Sequence, residues 1–199
     1  MSTPPKFAPG LPAPTFFSSL ATSYTRQTAN TTHTALSLSL PDILALHPIT
    51  PSSIIHDNAA GPGTATTALL PHLPSPPPSI LLTDLTPAMV SAAADTFPPS
   101  TYRSITTLQL DSVDLSGLPR NGEITHSFLN FSLSTISDPA KALREIHHSL
   151  APGGIAVVTT WKRFAGVEIV RATQRSVKPD SEPMPMPWEE FTREGVRGR

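Results

Sequence analysis

An open, mainly parallel α/β sheet with helices on its faces is the fold this sequence predicts. Three observations carry it. From Ile54 onward, short apolar runs alternate with helical patterns through roughly a hundred residues, the signature of βαβ units. The first four runs each give way to a polar or turn-forming residue, in order Asp57, Asp84, Asp111 and Asn130. Two of the helical patterns open on Thr86-Pro87 and Asp138-Pro139, a capping residue followed by proline at the first helical position.

The elements follow in order. Phe16, Phe17, Leu20, Ala21 and Tyr24 recur at helical spacing and predict one amphipathic helix. Thr28–Thr34 and the alternating Leu36, Leu38 and Leu40 fit either helix or extended chain, and Pro41 offers a fresh helix start for Asp42–His47. Strands are expected at Ile54–His56, Ile80–Thr83, Ile105–Leu110, Ile124–Leu129 and Ile155–Thr160. The first is followed by the Gly61-Pro62-Gly63 turn and a short helix through Leu70 that Pro71 stops. Pro87–Thr96 is the next helix. Ala140, Leu143, Ile146 and Leu150 mark the buried face of another, which Pro152-Gly153-Gly154 terminates. Gly166–Val177 carries a last apolar stripe, and the prolines at 179, 183, 185 and 187 forbid a continuous helix beyond it. Trp188 and Phe191 are expected to dock as a short final turn. The organisation expected is a proline-rich disordered tail over 1–14, an N-terminal helical lid over 15–53, a core over 54–178 and an irregular tail over 179–199.

Composition narrows the function. With 199 residues the chain suits one domain with a real core. A net charge of −1 with no dense Lys/Arg cluster argues against nucleic-acid binding, and low net charge argues against wholesale disorder. Cysteine is absent, which removes disulfides, thiolate metal sites and cysteine nucleophiles. The start MSTPPKFAPGLPAP has no apolar core of the secretory kind, and no segment approaches the roughly 18 apolar residues needed to cross a bilayer. A cytoplasmic protein that touches no membrane is expected.

Ligands of open α/β sheets gather beyond the carboxyl ends of the strands. There stand Asp57-Asn58-Ala59-Ala60-Gly61-Pro62-Gly63 after the first strand, Asp84 after the second, Asp111-Ser112 after the third and Asn130-Phe131 after the fourth. Small residues in the first turn let backbone approach a ligand. Asp84 lies about 20 residues beyond that turn, the spacing at which nucleotide-binding folds place a ribose-gripping carboxylate. Helix capping is the competing reading for Asp57 and Asp84.

The segments IIHDNAAGPGTAT, LLTDLTPAMV, LQLDSVDLSGLP, THSFLNFSL and LREIHHSLAPGGIAVVTTWK resemble the successive motifs of class I S-adenosylmethionine-dependent methyltransferases, closest to the fungal small-molecule, secondary-metabolism type. The resemblance implies a Rossmann-like sheet of order 3-2-1-4-5. It also implies S-adenosylmethionine as cofactor, a small-molecule acceptor and methyl transfer. Asp57 and the Ala59–Gly61 backbone would surround the cofactor's amino-acid portion, and Asp84 would hold both ribose hydroxyls. Leu85 would pack on the adenine, while Asp111 with the Ser112 backbone would meet its amino group; Asp114 is the alternative acceptor. Asn130 and Phe131 would floor the site near the methyl, and Tyr24 would be a lid aromatic or a plain core residue.

Trp161 would wall the acceptor pocket or simply pack. His33 and His126 are conceivable bases, His56 is expected to pack, and His147 and His148 suit the end of a helix. No catalytic residue is assigned and no metal is expected. The family pattern continues past MPMPWEEF with a further strand pair, so a truncated chain is expected. Its fifth-strand edge would then be exposed, or covered by a protein partner or a second copy. Two other readings share this sequence: a non-catalytic remnant or partner subunit, and a cofactor-binding scaffold for another reaction.

Overall fold

The computed structural model describes residues 14–28, 30–162 and 165–182. The expected tails and the docking of Trp188 and Phe191 fall outside these residues, apart from Pro14 and the stretch 179–182. Pro14 is already helical.

Five strands, β1 (Ile54–Asn58), β2 (Ser79–Asp84), β3 (Ile105–Gln109), β4 (Ile124–Asn130) and β5 (Leu150–Thr159), form one sheet of order β3-β2-β1-β4-β5. Every pairing is parallel. The order reverses between β1 and β4, which opens a crevice at their carboxyl ends. Ile55, Ile80, Leu82 and Phe128 point to one face and are buried with Leu36, Leu40, Leu69 and Phe97. Ile54, Leu81, Ile124 and Leu129 point to the other and meet Leu115, Leu118 and Ile146. Burial on both faces explains why these strands read as continuous apolar runs.

The N-terminal segment departs from expectation in two places. The single helix expected through Tyr24 is two, α1 (Pro14–Leu20) and α2 (Tyr24–Gln27). Ser23 ends α1 by sending both its backbone N–H and its hydroxyl to the Leu20 carbonyl, at 2.8 and 3.4 Å. The ambiguous stretch is helical: α3 runs unbroken from Thr31 to Leu46 with Pro41 inside it. Leu36 and Leu40 are buried whereas Leu38 is 77% exposed, a period of four rather than two. With Ile43 and Leu44 they make one stripe against the core. That burial carries the helix through Pro41, although proline there removes one backbone hydrogen bond and costs about 3 kcal/mol.

Beyond β1 lies α4 (Thr64–Leu69), continued by a 3₁₀ turn at Leu70–His72 that includes Pro71. Next come α5 (Pro87–Thr96), with α1 packed against it, and α6 (Pro139–Ser149), whose first turn Asp138 caps by accepting from the Lys141 N–H at 2.8 Å. β5 begins directly after α6, five residues earlier than expected. It pairs Ile124 with Leu150, slips register, and resumes with His126 opposite Ile155. Gly154 sits in the slip because a Cβ there would stand 2.7 Å from the Ile124 carbonyl oxygen. α7 (Ala165–Val177) completes the order. Among the described residues no helix is long and apolar enough to cross a membrane.

Candidate functional site

The crevice is built from the strand ends upward. Asp57 is fully buried. Its Oδ2 accepts from the Thr66 N–H at 2.9 Å and the Thr66 hydroxyl at 2.8 Å, which ties β1 to α4. Its Oδ1 has no partner. Burial pushes this carboxyl up to about 7, against the pull of the two Thr66 bonds. The chain then turns sharply through Ala59 at φ 51° and Gly61 at φ 56°, both left-handed.

Asp84 clamps this turn from β2. Its Oδ2 accepts from the Gly61 N–H and its Oδ1 from the Thr86 N–H at the head of α5, each at 2.8 Å. Capping and a place in the crevice are therefore combined in one carboxylate. Burial raises its pKa, opposed by those backbone bonds. Tyr24 stands close enough that the Asp84 charge adds to burial in raising the phenol's pKa.

A cleft opens here, lined by Tyr24, Ala59, Gly61, Asp84, Leu85, Asp111 and Ser112. A smaller hollow shares the Tyr24, Ala59 and Gly61 walls and is lined also by Asp57 and Asn130 together with Thr32. Nine of the ten residues singled out in the sequence thus line one continuous depression. Phe131 does not line it; its ring lies on Trp161 with centroids 4.4 Å apart.

Between the two acceptor candidates, Asp111 faces the cleft, whereas Asp114 is spent on the Ser116 N–H and hydroxyl at 3.1 and 2.7 Å. Ser112 donates its hydroxyl to Asn58 Oδ1 at 2.7 Å, and Asn130 Oδ1 accepts from the Thr159 hydroxyl at 2.7 Å. Ser112 is thereby tied to the end of β1 and Asn130 to the neighbouring β5.

Met89, Thr135, Ile136 and Ser137 also line the cleft and were not legible in the sequence as site residues. Met89 is the third residue of α5, directly after the Asp84-Leu85 strand end, and that position was the available signal. The segment Ser132–Ser137 offers none.

The histidines stand elsewhere. His56 is buried within β1, bonded to the Thr83 hydroxyl at 2.9 Å, and burial pushes it down to about 3. His126 lies in the first half of β4 against His47, their nitrogens 3.0 Å apart, far down the strand from Asn130. His33 lines a separate threonine-rich hollow. Among the described residues, no group of three or more His, Asp or Glu is arranged to hold a metal ion.

Comparison with known proteins places this geometry. A methyltransferase domain family model matches residues 57–156. The methyltransferase ucsB of an Acremonium species is 29% identical over 136 residues, covering 63% of this chain and 46% of its own length. The chain thus spans about half of that relative. Among solved structures, an S-adenosyl-L-methionine-dependent methyltransferase described as putative, from Methanococcus maripaludis, superposes with TM-score 0.60 at 18% identity, over 96% of this chain and 81% of that one. The CurJ carbon methyltransferase does so with TM-score 0.59 at 20% identity, over 81% of this chain and 45% of that one. These two likenesses concern the fold. The family match covers half of the chain and runs from the buried carboxylate at the end of β1 to the middle of β5, and by it this chain belongs to the methyltransferase domain family.

Proposed function

We propose that this chain binds S-adenosylmethionine in the depression at the ends of β1, β2 and β3 and transfers its methyl group to a small-molecule acceptor. The observation that carries this reading is Asp84. Each of its oxygens accepts one backbone N–H and keeps acceptor capacity toward the cleft, as a carboxylate gripping two vicinal hydroxyls requires. The remaining residues fit the same ligand. Asp57 offers an unpaired buried oxygen to a cationic amino group, and the Ala59–Gly61 turn brings bare backbone alongside. Leu85, Met89 and Ile136 supply apolar walls for a purine, and Asp111 with Ser112 supplies the polar edge.

When bound, the cofactor provides an electrophilic methyl group on a sulfonium. The protein's part is positioning, with reacting atoms held about 3–3.5 Å apart and water kept out. Tyr24, from the lid segment, closes the cleft over Asp84. Its raised pKa keeps the phenol protonated at neutral pH, so it orients rather than accepts a proton. Asn130, locked by Thr159, stands at the floor.

Titration calorimetry with S-adenosylhomocysteine tests the reading. Wild type should bind. Asp84→Ala should lose at least about a hundredfold in affinity, because two charge-assisted hydrogen bonds vanish at about 1.5 kcal/mol or more each. The same variant should melt lower, since the Gly61 and Thr86 N–H groups lose their acceptor. A wild-type chain that binds neither S-adenosylmethionine nor its demethylated product sinks the proposal.

A partner or second copy at the sheet edge is the companion reading. Among the described residues β5 is paired on one side only, and α7 exposes Ile169, Val170 and Val177 at 66%, 47% and 71%. Light scattering over a concentration series should show self-association if a second copy is the occupant.

A further inference from the structure

The small hollow beside the cleft contains a second unpaired polar group, and it comes from the lid. Five hydroxyls in this chain's helices return to the preceding turn. Thr31 bonds the Thr28 carbonyl, Ser37 that of His33, Ser39 that of Ala35, Thr67 that of Gly63 and Thr96 that of Ala92. Thr32 does not. It is 4% exposed, its Oγ1 has no partner, and it lines the same hollow as the unpaired Oδ1 of Asp57. A buried polar atom without a partner costs free energy, roughly 1–3 kcal/mol, and two that converge on one hollow point to a ligand that satisfies both.

The two groups differ in what they accept. When ionised, Asp57 Oδ1 offers lone pairs only and calls for a donor, best a cationic one. Thr32 is the second residue of α3, a sixteen-residue helix whose N-cap, Asn30, makes no side-chain cap and whose first turn holds no acidic residue. Helix starts of this kind favour an anionic group, and the Thr32 hydroxyl can donate to one. A cation site beside an anion site is the complement of an α-amino acid's charged end. No Lys or Arg lines the hollow, so neutral donors would have to hold the carboxylate.

We infer that Thr32 binds the carboxylate of the cofactor's amino-acid end, next to the ammonium group held by Asp57. The assignment rests on the methyl-transfer reading and extends it to the lid: the residue that grips the amino-acid end sits on the helix that follows Tyr24, so cofactor binding draws α3 onto the β1 turn. Ligands that keep the adenosine but lack the amino-acid end should be indifferent to Thr32.

Calorimetry with S-adenosylhomocysteine and 5′-methylthioadenosine, which lacks that end, separates the possibilities. Thr32→Val should weaken S-adenosylhomocysteine about tenfold and leave methylthioadenosine unchanged, the loss expected for one hydrogen bond to a charged group. Thr32→Ser, which restores the hydroxyl, should recover most of the affinity. The ligand-free Thr32→Val protein should melt no lower than wild type, because a hydroxyl without a partner has been replaced by a methyl. Equal losses for both ligands, or none for either, would overturn the assignment of Thr32 while the methyl-transfer reading stood. Wild type binding neither ligand would overturn both.

Discussion

The two rims of the sheet are built on opposite plans. At the carboxyl rim the backbone is left-handed at Ala59, Gly61, Gly63 and Phe131, and the side chains of Asp57, Asn58 and Thr32 each leave a buried polar atom unpaired. At the amino rim the bonds close on one another. Thr125 Oγ1 accepts from the Ile54 N–H and donates to the Ile54 carbonyl, both at 3.0 Å. The same oxygen meets His126 Nδ1 at 2.8 Å, His126 Nε2 meets His47 Nδ1 at 3.0 Å, and His47 Nε2 meets the Gly153 carbonyl at 3.1 Å. Left-handed backbone occurs at the amino rim too, at Arg120, Gly122 and Gly153. What separates the rims is therefore the unpaired side chains at one and the closed bonding at the other, which ties α3, β1, β4 and the start of β5 together.

The largest effect expected is at the carboxyl rim. Gly63 has φ 90°, and a Cβ there would fall 2.3 Å from Phe97 Cε2 and 3.1 Å from Leu82 Cδ2. Gly63→Ala therefore combines left-handed strain with overpacking of the core and should cost about 4 kcal/mol. Urea denaturation reads it directly. A loss below about 1 kcal/mol would show that the turn yields more easily than its geometry implies.

Second comes a pH effect shared by neighbours in β1. Burial holds His56 at about 3, so its contribution to stability is complete above about 6.5 and is lost as pH falls toward 3. Burial holds Asp57 at about 7, and the sign reverses. Its contribution is complete below the ordinary aspartate value and is lost as pH rises through about 7. Between about pH 4 and pH 6.5 the two slopes oppose one another. Asp57→Asn removes one of them. The stability of wild type minus that of the variant should therefore fall by about 1.4 kcal/mol per pH unit as pH rises across that window. Parallel denaturation series at pH 4, 5 and 6 would show it, and a flat difference would mean that Asp57 titrates normally.

Third, His126→Phe should cost about 1–2 kcal/mol at pH 7 by opening the amino-rim network. Burial lowers the pKa of His126, so wild-type stability conferred by this group is complete above about 6.5 and declines on acidification. The penalty of the variant should accordingly shrink toward pH 5. Cofactor affinity should hold, because the site lies at the other rim.

How much of this was legible in the sequence divides along the same line. The carboxyl-rim carboxylates and the glycine turn announce themselves because strand ends in an open sheet are where polar residues break apolar runs. Asp57, Asp84 and Asp111 were found that way, and all three line the depression. Thr32 was not, since a threonine in a threonine-rich run carries no mark of being buried without a partner. Neither was the His47–His126 pair, whose members lie 79 residues apart. The unbroken α3 was missed because Pro41 is locally a helix-starting residue, and only the tertiary stripe of Leu36, Leu40, Ile43 and Leu44 overrides it.

The smallest effect sharpens the comparison most, because it asks whether strain at the carboxyl rim is useful or merely tolerated. Ala59 holds φ 51°, a conformation that costs a non-glycine residue about 1–2 kcal/mol. Ala59→Gly removes that cost and adds back the chain entropy a glycine loses on folding, about 0.5–1 kcal/mol, so a net gain of about 0.5–1 kcal/mol is expected. Thermal melting would register it as a rise of a few degrees. The Cβ of Ala59 also borders both the cleft and the hollow, so the variant changes the wall against which a ligand rests. If melting temperature rises while affinity for S-adenosylhomocysteine falls, the alanine is holding a contact that its strained backbone is there to present. If both rise or affinity is unchanged, the strain serves nothing at this position, and the opposition between the rims lies in the unpaired side chains alone.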